Sequence, residues 1–470
     1  MQASRHSSNK GFGWIDIARL GLVQACIGAV VVLATSTLNR VMVVELGLAA
    51  VLPGALVAMH YVVQVLRPRM GFGADQTGRC TPWIVGGMAI LASGGWLASL
   101  GTSIMGESPS MGLAVVTLGF ALIGVGVSAC GTSVLTLLAK RTNERRRAGA
   151  ATLVWMMMIA GFAITAGVAG ALLDPFSPER LLAVAGGVTL GAFILTAVVI
   201  FGLESRSGPL PVATPDAGVY LNQPSRFREA LRSVLSEPST RQFTWFVGIS
   251  MLAFSTQDLI LEPFAGIVFG YTPGESTQLS GTQHAGVLAG MILVALAGSG
   301  YVFGRRLGSL RFWTVSGCIA SAVALCGLSI GGQVGMGWPL ALNVFLLGLA
   351  NGAFSIAAIA SMMRLAGEGQ ARREGTRMGL WGAAQALAFG LGGLLGTSLS
   401  DIARFFMDSP GAAYGMVFAF EALLFLVATW PRHCRTTGHW PQRTSRRCPM
   451  PRPVIGTPFT ARLIPLRRLK

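Results

Sequence analysis

Charge is what this chain has least of. Asp, Glu, Lys and Arg make up 12% of its 470 residues, against about 25% in an ordinary soluble domain. Acids are scarcer still, at 19 against 36 Lys and Arg. That shortage excludes a water-soluble globule wrapped in a solvated charged shell. Histidine (five) and cysteine (seven) are also few. Cys26, Cys80, Cys130, Cys318, Cys326, Cys434 and Cys448 show no metal-ligand spacing, and most lie in apolar runs, so free thiols are expected. No nucleophile–base set, metal cluster or phosphate loop can be read, so the sequence does not indicate an enzyme, and no protein-bound metal is expected. No cleavable signal peptide is evident. The first apolar run, starting near Leu20, is long enough to be a first membrane span.

Apolar residues are abundant, at 52%, with a mean hydropathy of +0.61. They fall into runs of roughly 20, the length that crosses a bilayer core. Twelve spans are expected, at 18–39, 47–66, 83–104, 111–139, 149–172, 180–203, 242–262, 283–303, 312–331, 337–363, 378–399 and 411–430. The fold class expected is therefore an all-α integral membrane protein. The fourth and tenth runs exceed the required length, which predicts tilt or bending. Many of the 62 glycines sit inside these runs, as at Gly119, Gly124, Gly126, Gly131, Gly392 and Gly396, where small residues let helices approach closely.

Loop charges orient the spans. With a cytoplasmic N-terminus, the inside segments ahead of the C-terminal tail carry 23 Lys or Arg, and the outside carries three: Arg40, Arg180 and Arg404. That asymmetry supports an even number of spans with both termini in the cytoplasm. The tail from Pro431 stands apart, with ten Lys or Arg, no acid, seven prolines and no apolar periodicity. It is expected to be disordered. Either anionic lipid holds it at the membrane surface, or it is an extension without function. Because it supplies so much of the +17 charge, that charge is no evidence for nucleic-acid binding.

A polar stretch at 204–241, with four prolines and an amphipathic piece near Arg226–Leu235, divides the spans six and six. The expected units are 1–203, 204–241, 242–430 and the tail 431–470. The halves echo each other at an offset of 230 residues, where Gly78 matches Gly308 and Trp83 matches Trp313. In the first half, Gly71, Asp75, Gly78 and Arg79 resemble the loop that joins helices 2 and 3 in the major facilitator superfamily, whose halves are parallel repeats. That resemblance implies a gate loop on the cytoplasmic side. Arg305 stands where the second copy would carry the Asp, so the second gate is lost or altered.

Other segments are more particular. Leu38-Asn39-Arg40-Val41-Met42-Val43-Val44-Glu45-Leu46, Gln257-Asp258-Leu259-Ile260-Leu261-Glu262-Pro263-Phe264 and Val268-Phe269-Gly270 resemble the PucC-type bacteriochlorophyll and light-harvesting assembly proteins. The resemblance spans roughly residues 14–430. It implies pigment handling or antenna assembly in the inner membrane of a photosynthetic bacterium, with bacteriochlorophyll or a precursor as cofactor. Light-harvesting polypeptides and pigment-synthesis enzymes would be its partners, with membrane lipid as the surroundings.

Ionisable groups at membrane depth are costly and mark function by default. Arg40 and Glu45 end the first span, and Asp258 and Glu262 lie one helical turn apart at the end of the seventh. Pairing Arg40 with Glu45, Asp258 or Glu262 would latch the outer side, although the same charges suit headgroup depth. Spans 4, 5, 8, 10 and 11 contain no acid, and Glu421 lies mid-span in the peripheral twelfth. This weighs against a proton-driven carrier. A pigment site needs apolar walls and a magnesium ligand. His60 with Gln64, and His284 beside Gln283, offer neutral imidazole, although either His also suits a hydrogen-bonded packing role. Trp155, Met156, Met157 and Met158 add bulky surface, and Asn343, Asn351 and Gln385 are candidates for the central interface. Two readings follow: a non-enzymatic assembly factor, and, from fold analogy, a secondary transporter of a small or amphipathic molecule.

Overall fold

The computed structural model describes residues 12–64, 67, 70, 79–204, 238–299, 307–368 and 374–429. Gly71, Asp75, Gly78, Arg305, the amphipathic piece near Arg226–Leu235 and the tail lie outside them. The helices are α1 (Trp14–Val32), α2 (Val51–Val63), α3 (Thr81–Ile104), α4 (Pro109–Arg141), α5 (Glu144–Leu173) and α6 (Pro178–Ile200). They continue with α7 (Pro238–Thr256), α8 (Leu261–Phe269), α9 (Pro273–Ser299), α10 (Leu310–Val334), α11 (Leu340–Glu368), α12 (Glu374–Phe406) and α13 (Pro410–Thr429). Five of them open on proline, whose missing N–H costs nothing in a first turn.

Among the described residues, eleven segments are long and apolar enough to cross a membrane, with α7 and α8 counted as one interrupted span. The twelfth, α2, is shorter than the expected 47–66. Gly47 takes a left-handed φ of 64°, and helix begins at Val51. Outward faces are apolar too: on α6, Leu190 is 60% and Val198 66% exposed. A helix apolar on every side belongs in lipid. This is a multi-pass membrane protein.

Two large buried clusters form the interior. One is built from α1–α6 around Leu20, Met88 and Phe120, the other from α7–α13 around Phe264, Phe354 and Phe418. The two sets of helices meet chiefly where α2 packs on α12 and α5 on α9. Between them lies the cavity described next.

Candidate functional site

A cavity of about 680 Å³ lies between the two sets of helices, within the size range of small-molecule and cofactor sites. Its walls are largely apolar and aromatic: Ile27 and Val31 from α1, Trp155, Met158 and Phe162 from α5, Met291 from α9 and Phe389 from α12. His60, Gln64, Asp258, Gln283, His284 and Gln385 also line it. Both candidate histidines therefore face one space, although 224 positions separate them in sequence.

The two histidines differ in their bonding. Arg67 donates to Gln64 Oε1, which turns the Gln64 amide nitrogen toward His60 Nε2, 2.9 Å away. That chain makes His60 Nε2 an acceptor already in use. His60 also starts an aromatic row through Tyr61 and Phe389 to Phe254, with ring centroids 4.6, 5.7 and 5.8 Å apart in turn. His284 Nδ1 instead lies 2.9 Å from its own helix's Ser280 carbonyl oxygen and donates to it. Phe162 meets the His284 ring edge-on at 5.0 Å. Two glycines fix this part of α9. A Cβ on Gly348 or Gly352 of α11 would collide with the carbonyl oxygen of Gln283 or Val287, residues that bracket His284.

The predicted charge cluster is placed by two irregular helices. α1 runs on through two π-helical turns, Leu33–Leu38 and Val41–Glu45, with Asn39 and Arg40 between them. Such bulges rotate the side chains that follow, and they recur at functional sites. Opposite, the seventh span breaks over residues 257–260, between α7 and α8. Pro263 explains the break. It has no N–H for the Leu259 carbonyl four residues earlier, and its ring crowds that oxygen. Asn39 supplies the missing donor, Nδ2 to Leu259 O at 2.7 Å.

Arg40, 2% exposed, pairs with Glu45 (Nη1 to Oε1, 2.6 Å) and donates from Nη2 to the Tyr271 carbonyl at 2.7 Å. It forms no ion pair with Asp258 or Glu262. Four-residue spacing puts those two acids on one face only of an unbroken helix, and here the chain turns between them. Asp258 faces the cavity, whereas Glu262 is buried 2% exposed at the start of α8. Gly266, one turn further on, gives the guanidinium its room, since a Cβ there would sit 2.9 Å from Nη2.

Sequence reasoning missed two carboxylates. Asp174, just after α5, accepts from Thr272 Oγ1 (2.8 Å) and Gly274 N–H (3.3 Å) at the start of α9. Asp401, near the end of α12, accepts from Ala50 N–H (3.0 Å) and Val51 N–H (2.7 Å) at the start of α2. Each acid stabilises the positive N-terminus of a helix in the opposite set. The signal was there: 401 less 174 is 227, close to the 230-residue repeat. Other expectations changed. Gln385 lines the cavity, but Asn343 bonds Trp338 and the Ala324 carbonyl, and Asn351 accepts from Ser321, all inside α10–α11 and its turn. Glu421 is fully buried, and neither carboxyl oxygen has a protein hydrogen-bond partner. Arg79 is exposed. Cys26, Cys80, Cys130, Cys318 and Cys326 are free thiols.

Comparison with known proteins agrees with this architecture. The family model described as PUCC protein matches residues 37–430. The bacteriochlorophyll synthase 44.5 kDa chain of Rhodobacter capsulatus is 51% identical over 417 residues, 88% of this chain and 94% of that one. Protein PucC of the same species is 31% identical and covers 88% of this chain and 90% of its own. A crystal structure of the peptide transporter POT with sulfate superposes with a TM-score of 0.66 at 14% identity, covering 89% of this chain and 95% of that one. The last likeness carries the fold alone, that of the major facilitator transporters. The family model and the 51% relative show that the chain belongs to the PUCC protein family.

Proposed function

We propose that this protein is a non-enzymatic assembly factor of a photosynthetic bacterium's inner membrane, which holds bacteriochlorophyll or a precursor in its central cavity for delivery to light-harvesting polypeptides. One observation carries the reading: a cavity walled by apolar and aromatic side chains that also brings the imidazoles of His60 and His284 into one space. A site of that composition suits a large apolar ring with a central metal better than a sugar or a peptide, which would need many hydrogen bonds. A relative named as a bacteriochlorophyll synthase chain supports the pigment, and relatives named PucC support the family role. Pigment-synthesis enzymes would hand cargo in, and lipid would surround the apolar outer helices.

In this reading both termini are cytoplasmic, residues 1–203 and 242–430 are the two moving halves, 204–241 links them and 431–470 trails from the second. Arg40 and Glu45, with Arg40 bonded across to the Tyr271 carbonyl, latch the outer side. Gly71, Asp75, Gly78 and Arg79 form the cytoplasmic gate loop. The protein brings no metal of its own. Purification in mild detergent from a pigment-making host tests the reading, with co-eluting long-wavelength absorbance expected. Pigment-free protein that drives gradient-dependent uptake into liposomes would instead establish the second reading, a secondary transporter, which the shared fold favours.

A further inference from the structure

We infer that His284 Nε2 is the axial ligand for the metal of a tetrapyrrole held in the central cavity, and that His60 is not; this rests on the pigment reading above. Among the described residues, no group of three or more His, Cys, Asp or Glu side chains converges as a metal site. A metal that arrives inside a macrocycle needs no such group, because the ring already supplies four equatorial nitrogens. It needs one axial donor from the protein.

His284 meets the requirements for that donor. Its Nδ1–H is committed to the Ser280 carbonyl at 2.9 Å, which fixes the tautomer and leaves the Nε2 lone pair unprotonated. Metal-ligating histidines are commonly oriented in this way, by a carbonyl that accepts from the other ring nitrogen. Among the described residues Nε2 has no hydrogen-bond partner, and the residue lines the cavity. Phe162 holds the ring edge-on, and the close α9–α11 seam at Gly348 and Gly352 holds the backbone. The donor is therefore pre-positioned on a rigid element.

His60 lines the same cavity but has spent its Nε2 lone pair on the Gln64 amide, which Arg67 orients in turn. Using it as a ligand would break that chain and strand the Gln64 amide, 6% exposed, without its acceptor. Asp258 is the remaining strong donor on the wall, but as a carboxylate it would bring an uncompensated charge to membrane depth. A neutral imidazole brings none.

The test uses full-length protein in detergent, titrated with zinc protoporphyrin and with metal-free protoporphyrin. The wild type should red-shift the zinc porphyrin's absorption on binding and hold it at least tenfold more tightly than the metal-free ring. His284→Ala should lose both the shift and the tenfold preference, and free imidazole should restore the shift. His60→Ala should keep it. His284→Gln, which retains bulk, replaces the alanine variant if that one is not monodisperse by gel filtration. A shift that survives in both His284 variants, or that disappears in His60→Ala or Asp258→Asn instead, overturns the assignment while leaving the pigment reading intact. Wild-type protein that binds neither porphyrin sinks the pigment reading itself.

Discussion

The two ends of the helix bundle are held together differently. At the Arg40 end, the charged and backbone bonds cross between the two sets of helices: Arg40 to Tyr271, Asn39 to Leu259, Asp174 to α9 and Asp401 to α2. At the opposite end, the described caps stay inside one set. Arg19 donates to the Val199 and Phe201 carbonyls (2.8 and 2.7 Å), and Glu204 accepts from Cys80 N–H, Thr81 N–H and Thr81 Oγ1 at 2.6–2.9 Å. The cavity extends toward this second end, past Gln64 to Arg67. Directional bonds thus join the two halves at the Arg40 end, whereas the described caps at the opposite end hold the first half alone. Parting of the two sets at that opposite end breaks none of these caps.

The largest break in that contrast should come from Arg40→Ala. It strands the Tyr271 carbonyl and unpairs Glu45, at a cost of about 2–4 kcal/mol. The expected outcome is a lower melting temperature in detergent and reduced antenna-complex levels, with the protein still in the membrane. Unaltered pigment-complex levels would refute the latch. Gly266→Ala should follow, at about 1–3 kcal/mol, because the added methyl displaces a guanidinium that is buried and bonded to both Glu45 and the Tyr271 carbonyl. Arg40→Ala and Gly266→Ala act through the same contact, so the double variant should be no worse than Arg40→Ala alone. Additive losses in melting temperature would show that Gly266 matters for another reason.

Much of this was legible beforehand. Scarce charge and apolar runs announced an all-α membrane protein. Chemistry at the end of a span called for an acidic partner for Arg40 and left Glu45, Asp258 and Glu262 open. What escaped was whatever depends on a broken helix. Treating 242–262 as regular put Asp258 and Glu262 on one face, when Pro263 was the warning that it was not. The π-helical turns in α1 left no comparable mark, because no residue type requires them. They arise where Asn39 and Arg40 find partners on α7–α9, and those partners are distant in sequence. The caps escaped for the same reason. An Asp at the end of an apolar run reads as a headgroup charge until the opposite helix N-terminus is in view.

The smallest effect, and the sharpest test of the contrast, concerns those caps. Asp174→Asn and Asp401→Asn keep shape and an acceptor oxygen but remove the charge from a helix N-terminus, which is worth about 0.3–1 kcal/mol each. The two cap different helices and share no partner, so their effects should add. That is too little to unfold the protein, yet enough to raise the open population of the Arg40 end several-fold. A cysteine placed at Thr35, which lines the cavity, in a background with the exposed Cys326 replaced, reports that opening to a membrane-impermeant thiol reagent. Labelling from the Arg40 side should rise in each variant and rise further in the double. Neutralising Glu204 on the other side should leave it unchanged, because that cap joins nothing across the halves. Equal effects from both ends would mean that the bonds set overall stability, and that neither end is a gate.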